Sequence, residues 1–413
     1  MSFEYRNGAL CAEQVPLEEI ARRHGTPCYV YSSAAIEAAY LEFSAALKGK
    51  DALICYSVKA NSNLAVLALL ARLGAGFDIV SGGELARVLA AGGAASKTLF
   101  SGVGKTEAEI ALALEKGVGC INLESEAELE RVAAVAGRLG RRAPVAFRVN
   151  PDIDARSHPY ISTGLQENKF GVAHGEAERL YRRAAALPAV EVVGIGCHVG
   201  SLLTEAAPFV AATERLVALA DRIEAGGIHL RHIDVGGGIG IRYRDEKPQP
   251  IAAFVAGART ALGARRHTLI VDPGRSIVGN AGLLLTRVEY VKPGAPKNFL
   301  VVDAAMNDLI RPPLYGAWHE VKTVRESAPA PAVYDIVGPV CESGDFLAKD
   351  RRLGAKEGDL LALMSAGAYG MAMSSNYNSR PRAAEVLVRS SRADLVRSRE
   401  SVEQLFALER IPG

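Results

Sequence analysis

A repeating alternation from residue 52 to residue 275 constrains the fold of this 413-residue chain more than any other feature. Short apolar, β-branched runs closed by turn residues take turns with longer amphipathic stretches. The strand-type runs are ALICYSV, GFDIVS, KTLFSG, CINLES, VAFRVN, EVVGIGCHVGS, LRHIDVGGG and TLIVDPGR. Between them, LAVLALLARLG, GGELARVLAAG, EAEIALALEKG, EAELERVAAVAGRLG and FVAATERLVALADRIEAGG carry helical spacing, and several end in a glycine suited to a helix C-cap. Eight strand-helix units over about 250 residues are what a (β/α)8 TIM-like barrel requires, with a doubly wound open sheet as the alternative. The length exceeds one ordinary core, and 49% hydrophobic residues leave ample material to bury.

From about Ala281 the texture changes to short strand-like runs with little helical periodicity, among them GLLLTRVEYVKPG, KNFLVVDAAM, AVYDIVGPVCES, DLLALMSAG and AEVLVRS. The expectation is therefore an α/β chain in two domains. A (β/α)8 barrel covers residues 27–280, and a C-terminal β-sandwich or Greek-key β domain covers 281–413, with residues 1–26 contributing through FEYRNGALC.

The formal charge is +2 and basic residues form no runs, so nothing marks a nucleic-acid partner. The N-terminal MSFEYRNGALCAEQ lacks the apolar core of a signal peptide, and no stretch has the roughly 18 uninterrupted apolar residues of a membrane span. A soluble cytoplasmic protein without membrane partners is expected. Six cysteines, at positions 11, 28, 55, 120, 197 and 341, include no CxxC pair. That argues for reduced thiols and against a zinc site or a disulfide framework.

Reactive groups in such a barrel sit at the C-terminal ends of its strands. There this sequence places Lys59, then Asp78 and Ser81, then His198 and Ser201, then GGGIG (Gly236 to Gly240) and DPGR (Asp272 to Arg275). Each has an ordinary reading: a strand-end lysine is usually solvated, and GGGIG serves a tight turn as readily as a phosphate cradle. Together they suit pyridoxal phosphate, for which a lysine forms the Schiff base, an imidazole covers the ring, glycines hold the phosphate and a carboxylate keeps the pyridine nitrogen protonated.

With YSVKAN, GFDIVSGGEL, HPYISTGLQENKFG, GCHVGS, DVGGGIG, DPGRSIVGNAG, MNDLIRPPLYGAWH, GPVCESGD and GAYGMAMSSNYNSRPR in this order, the chain closely resembles the diaminopimelate decarboxylase family of fold-type III pyridoxal phosphate enzymes. The resemblance implies decarboxylation of meso-2,6-diaminopimelate to L-lysine and CO2, in a homodimer whose active sites lie at the subunit interface. It assigns Lys59 as the Schiff-base lysine, His198 as the ring-packing residue, and Asp78, Ser201, Gly237, Gly238, Asp272, Gly274, Arg275 and Tyr369 as further cofactor ligands. Arg275, Arg311, Tyr315, Glu342 and Tyr369 fall to the substrate, and Cys341 becomes the proton donor, reaching in from the partner subunit with Glu342. Related decarboxylases of ornithine, arginine or carboxynorspermidine share the cofactor site and differ at Arg311, Tyr315 and Glu342; a non-catalytic regulator would be expected to lose Lys59 or Cys341. One departure stands out: the family pattern is Glu-Pro-Gly-Arg, and here Asp272 is one methylene shorter.

Overall fold

The computed structural model describes residues 3–153, 169–326 and 330–413; of the stretch His158 to Gly171, the first eleven residues lie outside them. The chain divides into two compact units, residues 39–241 with 247–276, and residues 1–38 with 242–246 and 277–413.

The first unit holds the alternation read from the sequence. Its strands are β1 (Ala52–Ser57), β2 (Gly76–Ile79), β3 (Thr98–Phe100), β4 (Cys120–Leu123), β5 (Ala143–Asn150), β6 (Val190–Gly196), β7 (His232–Asp234) and β8 (Thr268–Val271). Each pairs in parallel with the next. β8 then pairs with β1 through Leu269 opposite Ala52, which closes the ring. This is the expected eight-stranded parallel barrel rather than an open sheet.

Small and branched side chains fill its interior: Cys55, Leu99, Cys120, Ala146, Val193 and Ile270 form one buried cluster. At β6 the register slips between Val192 and Gly194. A Cβ on Gly194 would come 2.2 Å from the His232 ring, so this glycine makes room for an imidazole inside the barrel.

The helices α1 (Leu64–Arg72), α2 (Gly82–Ala90), α3 (Glu107–Lys116), α4 (Glu126–Arg138), α5 (Ala177–Ala185), α6 (Ala207–Ala225) and α7 (Ile251–Leu262) follow β1 to β7. Four start on side-chain caps written in the sequence: Asn63, Ser81, Thr106 and Ser125 each accept a backbone N–H from the first turn. Thr106 and Glu109 complete a reciprocal capping box, and Gly117 ends α3 in the left-handed region at φ 74°. These caps start each helix within a few residues of the strand before it, at the barrel mouth.

The second unit is mostly sheet. Its long central strand, Gly282–Lys292, pairs antiparallel with Cys28–Ser32, Asn298–Val302 and Leu360–Leu363. Cys28–Ser32 also pairs with Ala384–Arg389, so this sheet takes strands from both ends of the chain. The opening residues form a small three-stranded sheet, Phe3–Arg6, Ala9–Ala12 and Val15–Pro16. It joins the same core, where Leu10, Leu17 and Ile20 pack with Val30, Leu283, Leu285 and Val386. No helix among the described residues is long and apolar enough to cross a membrane.

Candidate active site at the barrel mouth

Beyond Ser57 the first strand turns into a single 3-10 turn, Val58–Ala60, which carries Lys59 over the mouth. The Lys59 side chain is 41% exposed, and its Nζ lies 3.0 Å from Oδ2 of Asp78, a carboxylate at the end of β2 only 2% exposed. Asp78 is fixed on both oxygens: the Ser101 hydroxyl donates to Oδ1 at 2.6 Å, and the Ser57 hydroxyl lies 3.2 Å from Oδ2. A buried carboxylate held this way gives the lysine a defined anionic neighbour.

On the other neighbour of β1 stands Asp272, just past β8. Its Oδ1 is buried, has no hydrogen-bond partner, and lies 3.8 Å from Nδ1 of His198. Burial, reinforced by the charges of Asp234 and Asp78, pushes the Asp272 carboxyl well above the usual carboxylate range. Asp234, at the end of β7, is pushed up to about 7, first by burial and then by Asp78, against the opposing pull of the Gly236 N–H that donates to it. His198 is held well below the usual imidazole range by burial and by the cations Arg148 and Lys59, so its ring is neutral at physiological pH.

Lys59, Asp78, Arg148, His198, Asp234 and Asp272 thus line one cavity of about 190 Å³. Beside it the glycine loop runs close against the backbone. Gly238 has φ 82°, and a Cβ there would come 2.0 Å from the Gly200 carbonyl oxygen; a Cβ on Gly237 would come 2.5 Å from that of Asp272. A Cβ on Gly274 would meet Ser57 and Ala60 at 3.0 and 3.1 Å. Arg275, buried at the start of the one-turn helix Arg275–Val278, donates to the Ser201 hydroxyl at 3.4 Å. The barrel therefore brings together the sequence-derived residues Lys59, Asp78, His198, Ser201, Gly237, Gly238, Asp272, Gly274 and Arg275.

Two charged residues around this cavity were not singled out from the sequence. Arg148 interrupts the apolar run of β5, 3.5 Å from Glu124 and under the Phe170 ring at 4.8 Å. Asp234 ends β7 just ahead of the glycines. The available signal in each case is a charged residue inside or closing an otherwise buried strand. Among the described residues, no group of three or more His, Cys, Asp or Glu side chains is placed to hold a metal ion.

The remaining sequence-derived residues belong to the second unit. Arg311 opens the short helix Arg311–Tyr315, is buried, donates to Nε2 of His319 at 3.1 Å and lies over the Tyr243 ring at 4.9 Å. Tyr315 closes that helix, partly buried, before a left-handed Gly316. Cys341 and Glu342 are exposed on one turn, where the Cys341 N–H donates to Oδ1 of Asn378 at 2.9 Å. Tyr369 adopts φ 55°, a conformation costly for a tyrosine and of the kind that clusters at ligand sites.

The fold and this mouth are those of a pyridoxal enzyme. The profile of the pyridoxal-dependent decarboxylases, pyridoxal binding domain, matches residues 33–279. A diaminopimelate decarboxylase of Pseudomonas aeruginosa is 59% identical over 410 residues, 99% of each chain. Among solved structures, the Helicobacter pylori diaminopimelate decarboxylase complexed with L-lysine superposes with a TM-score of 0.92 at 43% identity, covering 95% of this chain and 99% of that one. The M. jannaschii enzyme in co-complex with L-lysine gives 0.95 at 35% identity, covering 100% and 98%. The chain therefore belongs to the pyridoxal-dependent decarboxylase family and, within it, to the diaminopimelate decarboxylases.

The cofactor of this family is pyridoxal phosphate, and the residues present fit it. An amine and a buried carboxylate oxygen without a hydrogen-bond partner share one cavity, and the adjoining glycine backbone leaves space that a single Cβ would fill.

Proposed function

We propose that the chain releases CO2 from meso-2,6-diaminopimelate and leaves L-lysine, with pyridoxal phosphate held in the barrel mouth. The observation that carries this reading is the cavity that pairs Lys59 with the unsatisfied Oδ1 of Asp272. High identity to an enzyme of that name supports it, as does the lysine in two related structures, which has the chemistry of the product.

When bound, pyridoxal phosphate supplies a protonated ring that takes up the electron pair left behind by the departing carboxylate. Lys59 is the amine that would hold the cofactor covalently, through Nζ. Asp272, through its unpartnered Oδ1, would accept a hydrogen bond from the protonated ring, and the neutral His198 imidazole would pack against it. Asp78 balances the charge of Lys59. Gly237, Gly238, Gly274, Ser201 and Arg275 hold the phosphate, chiefly through backbone N–H groups that no side chain obstructs.

Tyr369 serves phosphate and substrate together. Arg275 and Arg311 pair with the substrate carboxylates, Tyr315 orients it, and Glu342 accepts its distal ammonium. Cys341 delivers a proton from Sγ to the carbon that has lost CO2. Cys341 and Glu342, both exposed in the single chain, act in the barrel of a second copy, so the working enzyme is a homodimer, operating in the cytoplasm.

Purified protein supplied with pyridoxal phosphate and meso-diaminopimelate should release CO2 and L-lysine in equal amounts and leave ornithine and arginine nearly untouched. Faster turnover of ornithine or arginine would overturn the substrate assignment. Full cofactor occupancy with no CO2 from any of the three would overturn the reaction.

A further inference from the structure

A second cavity, of about 390 Å³, lies wholly within the β unit and is built around Trp318, the chain's single tryptophan. Two guanidinium groups flank its indole: that of Arg244, 4.2 Å from the ring centroid, and that of Arg351, at 3.0 Å. Lys349 stands on the same wall over the Phe346 ring at 4.3 Å. Three cations thus converge on one aromatic pocket, each packed on or beside an apolar face.

Arg351 is the most telling of them. It is only 7% exposed, its two terminal nitrogens donate to the carbonyls of Lys349 and His319 at 2.9 and 3.2 Å, and its Nε is buried with no hydrogen-bond partner. Among the described residues neither Arg351 nor Lys349 has an ion-pair partner within 4.0 Å. Of the nearby carboxylates, Asp335 and the rim residue Asp350 pair with Lys297 at 2.9 and 3.5 Å, and Asp245 pairs with Arg244 in open solvent. Burial and the repulsion of Arg244 depress the Arg351 guanidinium to about 10, against the opposing pull of Asp350 and Asp335.

The arrangement is imposed by the strand. Phe346–Leu353 carries a bulge in which Lys349 and Asp350 together oppose the single residue Asp335 of the neighbouring strand Ala332–Val337, with Asp350 at φ 55°. Such a bulge re-aims the side chains around it. Here Asp350 goes to the rim, and Lys349 and Arg351 stay against the aromatic pocket.

We propose that this pocket binds a small oxyanion, carboxylate or phosphate, between Arg244, Lys349 and Arg351 and against Trp318. Guanidinium forks match the paired oxygens of such groups, and a partly dry aromatic wall strengthens the attraction. The site shares no lining residue with the barrel-mouth cavity, and the inference does not rest on the decarboxylase reading.

Trp318 makes the test local, because all tryptophan emission comes from the pocket. Inorganic phosphate and succinate, titrated separately into the holoenzyme at constant ionic strength set with chloride, should give a saturable change in emission with at least one of them and none with chloride. K349A and R244A should each raise the half-saturating concentration about tenfold or more, the loss expected of one charge-assisted contact. R351M should abolish the response; should it fail to fold, the other two variants decide. A flat or non-saturating titration, or variants that titrate like wild type, would overturn the proposal. So would an emission maximum that shifts with protein concentration instead of anion, because the pocket would then be covered by a second copy of the chain.

Discussion

Lys59 and Asp272 face one cavity from the first and last strands of the barrel, and the two make separable contributions. If Lys59 anchors the cofactor as proposed, then in K59A the absorbance of the lysine-bound cofactor should vanish and kcat fall by roughly 10³-fold or more. D272N keeps the shape and removes the charge, so binding should survive while kcat drops on the order of 10²-fold, the usual cost of one preorganised electrostatic partner. D272E, which restores the side-chain length of the family pattern, should stay within about tenfold of wild type. Equal kcat in D272N and wild type would remove Asp272 from its role. Asp234 gives a pH-dependent counterpart. Its carboxyl, ordinarily near 3.8, rises to about 7 in the fold, so the folded state resists ionisation and stability falls as pH climbs from about 4 through 7. D234N should therefore stabilise the cofactor-free protein at pH 8 by a few kcal/mol, at most about 4, and gain little near pH 4. Thermal melts at the two pH values check it, and an equal gain at both would sink it. Of this site, Lys59, His198, the glycines and Asp272 are legible in the sequence because they interrupt or end apolar runs where turns are expected. Arg148 is not, since a lone arginine within VAFRVN reads equally as a residue pointing outward.

At the scale of elements, the glycine loop after β7 is the part least able to accept a side chain. In G238A, the new methyl would lie 2.0 Å from the Gly200 carbonyl on a backbone already at φ 82°. Cofactor affinity should fall at least tenfold, followed by equilibrium titration, with a lower melting temperature in the apo form as well. Unchanged affinity would mean that the phosphate is held elsewhere. The eight barrel strands are readable because each ends in turn residues and because caps such as Ser81, Thr106 and Ser125 announce the helices that follow. Phe346–Leu353 escapes such reading: Lys349, Asp350, Arg351 and Arg352 break the alternation of FLAKDRRL, and the bulge that accommodates them is a property of the paired strands. Nor does CYVYS reveal its sheet. All five of its residues are buried, so no polar alternation marks a face, and its neighbours come from residues 282–292 and 384–389.

At the scale of the whole molecule, Cys341 decides how many chains make one site. Its thiol is exposed on the β unit and its N–H is anchored to Asn378, an arrangement suited to presenting Sγ outward. If Cys341 acts in the barrel of a second copy, then K59A and C341A, each inactive alone, complement one another when mixed. In a mixed dimer, the barrel of the C341A chain keeps its own Lys59 and receives Cys341 from the K59A chain, while the other barrel lacks both. Random exchange makes half the dimers mixed with one good site in two, so activity should recover to roughly a quarter of wild type in a closed twofold dimer. A thiol acting within its own chain leaves every site in the mixture lacking one group, and activity would stay at background. Brief unfolding and refolding of the mixture, with size measured alongside CO2 release, separates these outcomes: recovered dimers without recovered activity would assign Cys341 to its own chain.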